Sequence, residues 1–271
     1  MSGSAFAVTH HAFSSGAGRT SDGNGSHAST LKSPSYTKSV SWQHYPKMDG
    51  ENKIVALYGN SFTFYNNNIN TRLRDLTQSL LPDHAKGYKY RGITISSGHL
   101  GWQIENMRYQ NTLQKWDVVV LQGNSTETIS KKESTRQNFV DSATQMAEMA
   151  HKAGAKVVYF MTWPKKDKPE DSQKLADAYL SIAQKTGGYV APVGLAFEKA
   201  RKTHPEINLY YQDGVHPSIS GTYLAACVFF ATLYNQSPVG GALPIDTDMS
   251  PGDAKALQQV AWETVTEFQK P

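Results

Sequence analysis

From Lys53 onward, short apolar runs alternate with segments whose apolar residues recur every three or four positions. Residues 54–58 form an apolar run that ends at Gly59, which predicts a buried strand. Ile69, Leu73, Leu76 and Leu80 then stand at helical spacing, and Pro82 stops that helix. Residues 90–95 predict a second strand, and the β-branched run 117–121 predicts a third, buried on both faces. Phe139, Ala143, Met146, Ala147 and Ala150 make a helix face closed by Gly154. Residues 156–161 predict the fourth strand. Leu175, Tyr179 and Ile182 mark a helix ended by Gly187 and Gly188, and residues 189–193 predict the fifth strand. Two helices finish the chain. One runs over 220–234. The other starts at Ser250, Pro251 and Asp253: an N-cap, a first-turn proline and an acidic third position. Repeated strand–helix units predict a parallel sheet with helices on both faces, and sites at the carboxyl ends of its strands.

Residues 1–50 lack this patterning and are rich in Ser, Gly, Thr and His. We expect residues 1–40 to be disordered and 41–271 to form a single domain, with Trp42, Tyr45 and Pro46 opening the packed part. His10 and His11 read as tail residues. The 271 residues suffice for a full core, and 39% hydrophobic with 18% charged is ordinary for a globular protein.

The formal net charge of +4 is scattered, with no basic stripe and interleaved aromatics, so nucleic acid is not an expected partner. Lys165, Lys166 and Lys168 form the densest basic run and read as a solvated loop. The single cysteine, Cys227, excludes an internal disulfide and reads as a small core residue. No apolar run approaches a membrane span, and no signal-peptide pattern opens the chain. The compartment stays open between an exported protein with its signal peptide removed and a cytoplasmic one.

The candidate chemistry follows the strands. The first leads into Gly59-Asn60-Ser61-Phe62-Thr63, which puts Ser61 at a helix start beside backbone N–H groups. The competing reading is a helix N-cap serine. The second leads into Ser97-Gly98-His99-Leu100-Gly101-Trp102, where glycines permit close backbone approach to a ligand or simply make a turn. The third ends in Gln122-Gly123-Asn124-Ser125, from which the Asn124 amide can reach an oxyanion. Asn124-Ser125-Thr126 is also a glycosylation sequon, which we discount for a residue at a site.

Near the end stands Asp213-Gly214-Val215-His216-Pro217-Ser218. An Asp and a His three residues apart on one loop can hydrogen-bond, leaving the other ring nitrogen as a general base for a serine. The competing reading is a capped helix start with a surface His. The Gly-x-Ser-x-Gly elbow is absent, which disfavours a standard α/β-hydrolase. His-Glu-x-x-His, a P-loop and a dinucleotide fingerprint are absent too.

Together these residues resemble the SGNH (GDSL-like) hydrolase superfamily over residues 53–236. Gly59 to Thr63 looks like the first block, Gly98 like the second, Gly123 and Asn124 like the third, and Asp213 to Pro217 like the last. The chain departs from the family in having Asn60 where Asp is usual, and Gln122 where Gly is usual. Gly101 is an alternative to Gly98 in the oxyanion role.

The resemblance implies a flavodoxin-like three-layer α/β/α sandwich with a five-stranded parallel sheet. It implies ester hydrolysis through an acyl-enzyme, with no cofactor and no metal. Ser61 would be the nucleophile, His216 the base and Asp213 its orienting partner. Ser61 N–H, Gly98 N–H and the Asn124 side chain would form the oxyanion hole.

The expected substrate is a small-molecule or carbohydrate ester, with carbohydrate O-deacetylation favoured. The alternatives are a short-chain esterase, lipase or thioesterase, a polysaccharide O-acetyltransferase, and a non-catalytic glycan-binding domain. Trp102 and Trp163 are candidate sugar platforms, with core or rim packing as the competing reading. The loop 164–174 is expected beside the site, where it would influence substrate choice.

Overall fold

The computed structural model describes residues 45–83 and 86–270. The tail 1–40 and Trp42 lie outside the described residues. Five strands form one parallel sheet: β1 (Ile54–Gly59), β2 (Lys89–Thr94), β3 (Val118–Leu121), β4 (Lys156–Phe160) and β5 (Tyr189–Ala191). Their order is β2-β1-β3-β4-β5, and every neighbouring pair is parallel. β3 is Val-Val-Val-Leu, buried throughout, as a central strand covered on both faces should be. β2 lies at the edge and carries Lys89 and Arg91, charges that discourage pairing with another chain.

The period-2 alternation of the strands sorts their side chains into two cores. Val55, Leu57, Val118, Val120, Val158 and Phe160 join one cluster. It is covered by α2 (Ile69–Leu80), α6 (Val193–Thr203), α7 (Ile219–Tyr234) and α8 (Pro251–Phe268). Ala56, Tyr58, Val119, Leu121, Val157 and Tyr159 join the other. There they meet α3 (Ile104–Leu113), α4 (Glu133–Lys152) and α5 (Ser172–Thr186). The result is an α/β/α sandwich. α7 is buried along its length from Gly221 to Leu233, which explains an apolar stretch with little helical periodicity. Cys227 sits in it fully buried, and burial pushes its thiol up, away from the reactive thiolate. Tyr45 stacks on Phe268 at 4.6 Å, so the packed chain includes the start of the described region.

The fifth strand is shorter than the apolar run 189–193 predicts. It stops at Ala191 because Pro192 has no N–H for a ladder, and Val193 already opens α6. The final helix starts as its sequence predicts, with Ser250 accepting the Asp253 N–H at 3.0 Å. The strand order reverses direction between β1 and β3. The segments after β1 and β3 therefore flank the crevice where open α/β sheets hold their ligands.

Candidate active site

Ser61 follows β1 as the first residue of a single-turn helix, α1 (Ser61–Phe64). The cap of that turn is Asn60, not the serine. The Asn60 side chain accepts the Phe62 N–H at 3.1 Å, which leaves the Ser61 hydroxyl free for another partner. That partner is His216. Its Nε2 lies 2.9 Å from Ser61 Oγ, and its Nδ1 lies 2.5 Å from Asp213 Oδ2. Asp213 Oδ1 accepts the N–H groups of Val215 at 2.9 Å and His216 at 3.0 Å.

Partial burial pushes the Asp213 carboxyl up. The hydrogen bonds from the His216 ring and the two N–H groups outweigh that and hold it below the ordinary carboxylate range. An ionised Asp213 places the imidazole proton on Nδ1, so the Nε2 lone pair faces the Ser61 hydroxyl.

The loop that presents this pair is closed on itself. Tyr211 N donates to His216 O at 2.8 Å, and Gly214 N donates to Tyr211 O at 3.0 Å. Gly214 takes φ +68, the left-handed turn that a glycine adopts without strain. Ser218 then caps α7 by accepting the Gly221 N–H at 3.1 Å.

No family model matches the chain, and no curated protein matches it by sequence. Solved structures do resemble it. A DUF4886 family protein from Bacteroides uniformis aligns with a TM-score of 0.60 at 18% identity, over 80% of this chain and 95% of its own. A candidate SGNH hydrolase from Slackia heliotrinireducens aligns at 0.55 and 24% identity, over 66% of this chain and 97% of its own. A variant of an acetyl xylan esterase from Geobacillus stearothermophilus aligns at 0.54 and 14% identity, over 68% and 96%. The chain has the SGNH hydrolase fold.

The two departures from the SGNH blocks meet each other. Gln122 Nε2 donates to Asn60 Oδ1 at 2.7 Å, and Gln122 Oε1 accepts from Asn60 N at 3.2 Å and Thr63 Oγ1 at 2.7 Å. Asn60 Nδ2 donates in turn to Gly98 O at 3.2 Å. Gly59 leaves room for this, because a Cβ there would lie 2.4 Å from Gln122 Oε1.

The three groups expected to form an oxyanion hole are engaged to different degrees. The Gly98 N–H donates to Ile95 O at 2.9 Å inside its turn, so it does not point freely at an oxyanion. Asn124 Nδ2 donates to Ser97 O at 2.9 Å, which uses one of its two hydrogens. The Ser61 N–H makes no hydrogen bond to a described residue.

Three side chains at the site carry no signal in the sequence. Tyr65 stacks on the His216 ring at 4.3 Å and 10°, and Tyr211 meets Tyr65 edge-on at 6.2 Å. The third, Glu127, is 1% exposed. Its Oε2 accepts the N–H groups of Leu100 at 3.2 Å and Asn124 at 2.8 Å, and its Oε1 lies 3.3 Å from His99 Nδ1. Glu127 thus clips the loops after β2 and β3 together.

The two tryptophans part ways. Trp163 is 1% exposed, stacked between Phe62 at 4.5 Å and Phe197 at 4.1 Å, and donates to Val215 O at 3.1 Å. It is a wall rather than a free platform, and packing explains it. Trp102 is 58% exposed and stands beside His99.

A cleft of about 270 Å³ is lined by Phe62 and Val215, the chain neighbours of Ser61 and His216, and by neither Ser61 nor His216 itself. Phe62, Trp163, Val215 and Leu175 give its apolar lining, and residues 164, 165, 168 and 171 of the expected loop line it too. Among the described residues no group of three or more His, Cys, Asp or Glu side chains is placed to hold a metal, and no helix is long and apolar enough to cross a membrane.

Proposed function

We propose that the protein is a serine carboxylic-ester hydrolase. The observation that carries this reading is the unbroken chain Ser61 Oγ–His216 Nε2 and Nδ1–Asp213 Oδ2, at 2.9 Å and 2.5 Å. Ser61 Oγ attacks the ester carbonyl while Nε2 takes its proton, and Asp213 stabilises the imidazolium that forms. The proton then passes to the departing alcohol, leaving an acyl-enzyme. A water molecule, deprotonated by the same nitrogen, attacks the acyl carbon and releases Ser61 and the acid.

The developing oxyanion is held by the Ser61 N–H and the second Asn124 amide hydrogen. Gly98 contributes only if its turn releases Ile95. An acetylated carbohydrate is the substrate class we favour, supported by the fold likeness to an acetyl xylan esterase.

The test is turnover of 4-nitrophenyl acetate by wild type and Ser61→Ala, with mass spectrometry after a fluorophosphonate probe. Wild-type turnover, its loss in the variant and probe mass on Ser61 are expected. Equal turnover by both proteins would sink the assignment of Ser61.

A further inference from the structure

The cleft beside the Ser61–His216 pair has an uneven charge. Its lining includes Lys131, Lys165 and Lys168. Among the described residues, none of the three ammonium groups has a carboxylate within ion-pair distance. Asp171 also lines the cleft, but its carboxylate is engaged by Lys174 at 2.8 Å.

The lysine rim is anchored to the loop that carries His216. Lys166 N donates to Gly214 O at 2.8 Å, Tyr210 OH donates to Pro164 O at 3.0 Å, and Arg201 donates to Lys166 O at 3.0 Å. Lys165 and Lys168 therefore stand on a backbone tied to the His216 loop, while Lys131 reaches the cleft from the segment before α4. The same lining includes Phe62, Trp163, Ile129, Leu175 and Val215, an apolar wall of low polarity. Cations above a low-dielectric wall concentrate the field and attract anions into the cleft. The volume, about 270 Å³, is near the lower end of ligand pockets and suits one ring with one substituent.

We propose that the ester substrate is anionic, with a negatively charged group seated in this cleft against Lys131, Lys165 and Lys168. This rests on the ester-hydrolase reading and adds the charge of its substrate. Lysine suits such a role as a mobile point charge that neutralises an anion without demanding one geometry.

Two matched pairs of esters test it, each rate normalised to uncatalysed hydrolysis. 4-Acetoxybenzoate against its methyl ester places the carboxylate on the alcohol side. 4-Methylumbelliferyl hydrogen adipate against the hexanoate places it on the acyl side. The expected result is kcat/KM about tenfold higher for the anionic member of at least one pair, the size that a few partly screened charges supply. That ratio should shrink with added salt. It should also fall towards one in the triple variant Lys131→Gln, Lys165→Gln, Lys168→Gln, whose exposed positions tolerate the change.

A ratio of one or less in both pairs overturns the proposal, and so does a preference that survives the triple variant. In either case, Ser61-dependent turnover of the neutral esters leaves the hydrolase reading standing. Failure of wild type on all four esters and on 4-nitrophenyl acetate would overturn both.

Discussion

The two sides of the site are built differently. On the His216 side, Asp213 and His216 stand on one short loop, and the bonds that orient the two side chains run within that loop and to Ser61. On the proposed oxyanion side, Asn124 comes from the loop after β3 and Ser97 and Gly98 from the loop after β2, and long-range bonds tie them in place, from Asn124 to Ser97 O and from Asn60 to Gly98 O. The first side works as a local motif. The second works only as an assembly, held by Glu127 and by the Asn60–Gln122 pair. Local motifs survive in a sequence pattern, whereas assemblies are visible only once the loops are folded together.

The largest expected effect tests the local side. Asp213→Asn removes the carboxylate that places the proton on His216 Nδ1 and leaves the ring free to take the wrong tautomer. We expect kcat on 4-nitrophenyl acetate to fall by roughly 10⁴-fold, by analogy with the serine-protease triad, while the fold survives. A drop below tenfold would show that the Asp213–His216 contact is structural. The next effect tests the assembled side. Asn124→Ala should lower kcat by about 10²–10³-fold with a smaller change in KM, the usual loss for one oxyanion donor. An unchanged kcat would leave the Asn124 amide as a loop fastener to Ser97.

Much of this was legible in the chain itself. The alternation of apolar runs and helical spacings predicts all five strands, most plainly β3, because a central parallel strand must be apolar on both faces. Ser61, Asp213 and His216 stand in the sequence as residues with turn-forming neighbours, and the structure brings the three together.

Other features were hidden for physical reasons. α6 has Val193, Ala196, Phe197 and Ala200 at helical spacing, but the apolar run 189–193 blends its start into β5. Tyr65 reads as one more aromatic until its ring lies on His216. Trp163 looks like any tryptophan after a strand, and only packing between Phe62 and Phe197 removes it from the surface. Asn60 and Gln122 look like two separate departures from the SGNH pattern. In the fold they are one feature, since the Gln122 amide needs the acceptor that Asn60 supplies, and Asn60 needs an N–H donor to reach Gly98 O.

Glu127 tells whether the assembled side depends on its clip. Glu127→Ala leaves the Leu100 and Asn124 N–H groups without their buried acceptor, at a cost of about 1–3 kcal/mol. We expect a lower melting temperature and a kcat loss of roughly tenfold as Asn124 loosens. Glu127→Gln keeps an amide oxygen for both N–H groups and an NH₂ towards His99, so it should recover most of kcat. A Gln variant as impaired as the Ala variant would mean that charge opposite His99 matters, rather than the clip.

The smallest effect returns to the local side. The Asp213 carboxyl is held below its ordinary value of 3.8 by its hydrogen bonds, against the opposing push of partial burial. A folded-state pKa below the unfolded one means that the unfolded chain binds the proton more readily. The stabilisation from Asp213 is therefore complete above the ordinary carboxylate value and drains away as pH falls through the lowered one. Comparing melting temperatures of wild type and Asp213→Asn across pH should give a constant offset from neutrality down to about the ordinary carboxylate value. Below it the two curves should converge. Solvent reaches this carboxylate, with 40% of its side chain exposed, so the offset should be small and should shrink further in high salt. An offset that grows on acidification would reverse the sign and show that Asp213 is strained by its surroundings rather than held by them.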